Sequence, residues 1–149
     1  MYLLTFNPLF LSAFMGMVVA QLAKFLLILA LERRLAWDRI SETGGMPSSH
    51  SAAVAALTTA IGLTYGVESA YFAISFVFGS VVIYDATGVR RAAGQHAEVL
   101  NSLISEMSHL FEEGDSPKAL KTLLGHTYPQ VFVGTLLGIF IGFVCTGNL

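Results

Sequence analysis

Apolar residues gather into four runs, 8–31, 51–65, 70–86 and 131–146, parted by two polar loops and one tight turn. Such runs are too uniformly apolar for the half-buried helices or alternating strands of a soluble domain. The first is long enough to cross a bilayer, and the others lie near or below the roughly 17-residue lower limit for a span. The last three carry no charge until Asp85. The expected fold is all-α: a small integral-membrane helical bundle of about four spanning helices. Gly66-Val67-Glu68-Ser69 makes the second and third runs an antiparallel pair. The loops are 32–49 and 88–129. Within the second loop, Leu100, Leu103, Ile104, Met107, Leu110 and Phe111 recur at helical spacing, with Glu98, Glu106, Glu112 and Glu113 between or after them. That pattern predicts an amphipathic helix over 95–113, set along the membrane interface or packed on the bundle or on another subunit. Gly134, Gly138 and Gly142 form two overlapping GxxxG units, a ridge for close helix approach inside the chain or in a homo-oligomer.

Composition agrees. Of 149 residues, 54% are hydrophobic and 12% charged, with a mean hydropathy of +0.68, so one membrane domain spanning 1–149 is expected. A net charge of -2 without an extended basic patch excludes a nucleic-acid partner. Cys145 is the single cysteine, which rules out an internal disulfide. The first run has no positive segment before it and is too long for the core of a cleavable signal, so it is expected to be a retained anchor. The eight basic residues are Lys24, Arg33, Arg34, Arg39, Arg90, Arg91, Lys118 and Lys121, and all lie in or close to the two loops. The positive-inside rule then makes both loops cytoplasmic and both termini external.

Candidate chemistry sits at two helix mouths. Gly44-Gly45-Met46-Pro47-Ser48-Ser49-His50-Ser51 precedes the second run, and Gly125-His126-Thr127-Tyr128-Pro129-Gln130-Val131 precedes the fourth. Pro47 suits a helix start, and Ser48 and Ser49 suit an N-cap. Helix starts direct amides at anions, phosphate above all. His50 could hand a proton to a leaving group. The topology puts His50 and His126 on one membrane face. Blander readings stand beside these. The serines could simply cap a helix, Lys24 could snorkel to the interface, and Asp85 with Arg90 and Arg91 could be a structural ion pair. His96 and His109 read as surface or interface residues. No histidine pair has zinc-ligand spacing, so no metal site is expected.

Pro47-Ser48-Ser49-His50 resembles the central Pro-Ser-Gly-His motif of the type 2 phosphatidic acid phosphatase superfamily, which includes the vanadium haloperoxidases. The Gly125–Val131 stretch, with Gly134 and Gly138 after it, resembles that superfamily's last motif, built on a nucleophilic histidine. Lys24 with Arg33 and Arg34 resembles the first. The run Tyr84-Asp85-Ala86-Thr87-Gly88-Val89-Arg90-Arg91-Ala92-Ala93-Gly94 looks like the divergent branch, small bacterial and plant membrane proteins. The resemblance implies metal-free, cofactor-free phosphoryl transfer through a phosphohistidine. His126 would attack phosphorus and His50 would protonate the leaving oxygen. Ser48, Ser49, Lys24, Arg33, Arg34 and Lys121 would hold the phosphate. Gln130 stands where the superfamily has the aspartate that orients its nucleophile, and Asp85, Arg90 and Arg91 are further orienting or charge partners. The expected function is hydrolysis of a lipid or isoprenoid phosphate at the cytoplasmic face of a bacterial membrane. The alternatives are a non-catalytic phosphate-binding membrane protein, which Gln130 favours, and a structural membrane subunit.

Overall fold

The computed structural model describes residues 7–32, 45–107, 118–122 and 124–147. Its helices are α1 (Pro8–Glu32), α2 (Ser49–Tyr65), α3 (Ala70–Thr87), α4 (Val89–Glu106) and α5 (Tyr128–Thr146). The described residues contain no strand, and the all-helical expectation holds. Three helical stretches are long and apolar enough to cross a membrane: Pro8–Leu31, Ala70–Glu106 and Tyr128–Thr146. At 17 residues α2 is shorter, and it lies in the middle of the bundle, packed on α1, α3 and α5.

Local chemistry sets the ends. Ser48 is extended and caps α2, and its hydroxyl accepts the Ser51 amide. Pro47, joined to Met46 by a cis peptide bond, therefore precedes the cap instead of opening the helix. Ser69 caps α3 and accepts the Phe72 amide at 3.2 Å. Gly66, at φ +84, ends α2, so the 66–69 turn folds α2 and α3 into the expected antiparallel pair. The amphipathic helix begins at Val89, six residues before its expected start. Gly88 bends the chain without stopping helical hydrogen bonding, since its amide donates to the Tyr84 carbonyl at 2.8 Å. Residues 108–113 of the expected helix, His109 among them, lie outside the described residues, as do Arg33, Arg34, Arg39 and Gly44.

Small residues decide the packing. Ala52, Ala55, Ala56 and Ala60 of α2 are buried. A Cβ on Gly134 would lie 2.5 Å from the Ser48 carbonyl oxygen, and one on Gly138 would lie 2.8 Å from the Ala55 Cβ. One on Gly142 would lie 2.7 Å from the Thr59 Cβ. The glycine ridge is therefore occupied by α2 of the same chain, and α2 and α5 run parallel in near backbone contact. Gly16 of α1 meets Ala52 and Ala56 from the other side. Contact this close lets dispersion and Cα–H···O contacts hold helices together where lipid offers no hydrophobic driving force. Large apolar side chains point outward instead, among them Leu26, Phe76, Phe78 and Phe140. The C-terminal ends of α1 and α3 and the N-terminal ends of α2 and α5 gather at one end of the bundle.

Candidate functional site

At that end, α2 sends its first side chains in different directions. The Ser48 hydroxyl is fully buried and accepts from the Ser51 hydroxyl at 2.9 Å. The Ser48 amide donates to the Gln130 carbonyl at 3.1 Å. Ser49 donates from its hydroxyl to Gln21 Oε1 of α1 at 2.6 Å. Both hydroxyls thus fasten α2 to its own first turn and to α1. His50 faces away from them, into a cavity of about 290 Å³ lined also by Val81, Val82, Asp85, Ala86, Arg90 and His126.

His126 reaches this cavity because of the loop before α5. Its amide donates to the Ala86 carbonyl at the end of α3, at 2.9 Å. Gly125 adopts φ +79, and a Cβ there would lie 2.5 Å from the Arg91 nitrogen, so only glycine lets the loop cross the α3–α4 junction. Farther back, the Asn101 side chain of α4 both donates to the Leu120 carbonyl (2.8 Å) and accepts its amide (2.9 Å), pinning the strand of chain that leads to His126.

The charges around His126 are mostly positive. Lys24 is buried, and its stem lies so close to Gly45 that a Cβ there would be 2.7 Å from Lys24 Cε. The His126 imidazole is held below the ordinary histidine pKa, first by burial, then by the charges of Lys24, His50 and Arg90. Burial and neighbouring cations both disfavour imidazolium. The ring is therefore neutral at neutral pH, with a nitrogen lone pair to offer a nucleophilic reaction or a hydrogen bond. Lys24→Met removes a cation, so the His126 pKa is expected to rise and its neutral form to give way at a higher pH. Histidine NMR titration in detergent checks this; a pKa that stays or falls would contradict it.

Asp85 and Arg90 form an ion pair on the cavity wall, Nε to Oδ2 at 2.5 Å, so the pair and the two histidines share one space. The Gln130 Oε1 accepts the Thr127 amide at 2.9 Å and so caps α5. Gln130 also lines a second cavity of about 390 Å³, with Arg91, Gln95, Glu98 and His126 among its walls. The Arg91 guanidinium lies 5.9 Å from the Tyr128 ring centroid, a cation–π distance. Lys121 is exposed on the segment before His126, and His96 is exposed on α4. Among the described residues, no three His, Cys, Asp or Glu side chains are grouped to hold a metal ion.

Sequence reasoning missed Gln21. Its signal was present: an amide inside an otherwise apolar run, one turn before Lys24, is polar at membrane depth. The Asp85–Arg90 pair, open in the sequence to a purely structural reading, walls the histidine cavity.

The sequence pattern of the family described as Divergent PAP2 matches residues 5–141, nearly the whole chain. The chain belongs to that family. It is 44% identical over 153 residues to the uncharacterized membrane protein YuiD of Bacillus subtilis (strain 168), covering 97% of this chain and 96% of that one. No solved structure matches. With a membrane-protein relative and three apolar helices, the chain is an integral membrane protein.

Proposed function

We propose that the chain is a membrane phosphatase that hydrolyses a lipid or isoprenoid phosphate through a phosphohistidine on His126. The observation that carries this reading is the cavity that His50, His126 and Arg90 share. The neutral His126 ring attacks phosphorus, and the bond to the leaving oxygen breaks as His50 donates its proton to that oxygen. Water then attacks the phosphohistidine, giving a proton to His50, and the P–N bond breaks to release phosphate. Arg90 and Lys24 stabilise charge on the phosphoryl oxygens. Positioning and electrostatics of this kind are most of what phosphoryl transfer requires of a protein. Ser48 and Ser49 serve by setting the α2 start that aims His50.

An apolar groove favours a lipid. A space of about 230 Å³ lies between α3 and α5 over α2, lined by Val54, Thr58, Phe76, Gly79, Thr135 and Ile139 among others. Val54 is one helical turn below His50. Ser80 and Ile83 of the groove flank Val81 and Val82 of the histidine cavity along α3. A phosphate in the cavity leaves its hydrocarbon chain room in the groove, at the depth of the bilayer's apolar core. The positive-inside rule, applied to the basic residues of the two loops, supports a site at the cytoplasmic face of a bacterial membrane.

A second reading, phosphate binding without turnover, is favoured by Gln130. Its carbonyl is committed to the cap, and an amide offers no charge to an imidazolium. Phosphate release by the purified chain in chelator separates the two, using phospholipid and polyprenyl monophosphates of graded chain length. The expected result is release that rises as the chain grows long enough to fill the groove. Vanadate binding without release would establish the second reading, and absence of both would overturn each.

A further inference from the structure

Asp85 lies in the last turn of α3 and Arg90 in the first turn of α4, on either side of the bend at Gly88. Their ion pair is partly open to solvent, with side chains 37% and 56% exposed. Both residues line the cavity of His50 and His126. The described wall of that cavity therefore holds one guanidinium, two imidazoles and one carboxylate. The carboxylate is the group that does not suit a phosphate site. Carboxylate and phosphate oxygens seek the same guanidinium N–H groups, and like charges in one small space repel.

We infer that Asp85 is a built-in competitor of the phosphate site: it holds Arg90 while the cavity lacks an anion, and an arriving phosphate takes Arg90 from it. This rests on the proposed reading of the cavity as a phosphate site. Two consequences follow from charge alone. Asp85 weakens phosphate binding relative to a neutral residue at the same place. It also weakens a dianion more than a monoanion, because repulsion scales with the ligand's charge. Asp85 thus sets how strongly the site prefers a terminal monoester phosphate over a singly charged diester. A merely structural ion pair predicts the opposite sign, since freeing Arg90 from its anchor would spend side-chain entropy on binding and loosen the site.

The test is equilibrium binding of inorganic phosphate, vanadate and dimethyl phosphate to the full chain in detergent at low ionic strength. Asp85→Asn is expected to tighten inorganic phosphate and vanadate about three- to tenfold, modest because the pair is partly solvated and screened. Dimethyl phosphate should gain less. Asp85→Ser should act in the same direction, and thermal unfolding verifies that both variants fold. Arg90→Gln should weaken phosphate, and adding Asp85→Asn to it should recover less than Asp85→Asn gains alone. Phosphate binding by the wild type that neither Asp85 variant tightens, or that both weaken, would overturn this inference and leave the phosphate site standing. Binding seen only once Asp85 is neutralised would support it. No phosphate or vanadate binding by the wild type or by either variant would overturn the site and the inference together.

Discussion

His126→Ala is expected to abolish phosphate release, by a factor on the order of 10⁴ or more, as removal of a covalent nucleophile does in other hydrolases. The Gly125 conformation, the bond from the His126 amide to the Ala86 carbonyl, and the Asn101 clamp on Leu120 all fix the loop that carries this ring. Burial, then the charges of Lys24, His50 and Arg90, hold the ring below the ordinary histidine pKa. Alanine leaves the loop's backbone bonds intact, so fold and phosphate affinity should change far less than turnover. Measured phosphate release and inorganic phosphate affinity on the same preparation check this. Undiminished release by a folded His126→Ala protein would remove the catalytic assignment.

His50→Ala is expected to cost about 10²- to 10⁴-fold in turnover on an alkyl phosphate, the range for a lost general acid. In kcat/KM, which reports the first step, the same substitution should cost much less on an aryl phosphate such as p-nitrophenyl phosphate, because that leaving group departs without a proton. His50 is exposed to the cavity, whereas the hydroxyls of Ser48 and Ser49 are bonded within the chain. Loss of the imidazole therefore removes chemistry without unfastening α2. Equal losses of kcat/KM on alkyl and aryl substrates would show that His50 binds or positions and does not supply the proton.

Much of this arrangement is legible in the chain. The 66–69 turn announces the α2–α3 pair, and the spacing of Gly134, Gly138 and Gly142 announces a close helix contact. The partner of that ridge is not legible. Ala52, Ala55 and Ala56 look alike on every face of a uniformly apolar helix, and only the fold shows which face meets glycine. The early start of α4 escaped because its polar periodicity sets in near Gln95, while Val89–Gly94 reads equally well as loop. α5 begins three residues before its apolar run because Thr127 and Gln130 cap it, a local signal that an apolar count overlooks. At the site, the pairing of His50 with His126 followed from topology alone. The bonding of the Ser48 hydroxyl within the first turn of α2 and of the Ser49 hydroxyl to α1 did not, because the sequence does not say which way the cap residue turns or which helical angle, in steps of about 100°, faces the cavity. Gln130 reads from its place in the motif as a substituted orienting group, and its hydrogen bond to Thr127 assigns it to the helix cap.

The central claim is that the cavity shared by His50 and His126 transfers a phosphoryl group through His126. Its most direct measurement is capture of that group: incubation with a radiolabelled long-chain lipid phosphate, an alkaline quench, and peptide mapping. The expected result is an alkali-stable, acid-labile label on the peptide carrying His126, absent from His126→Ala. Phosphate release by the wild type with no label on His126, equally fast in His126→Ala, would contradict the claim.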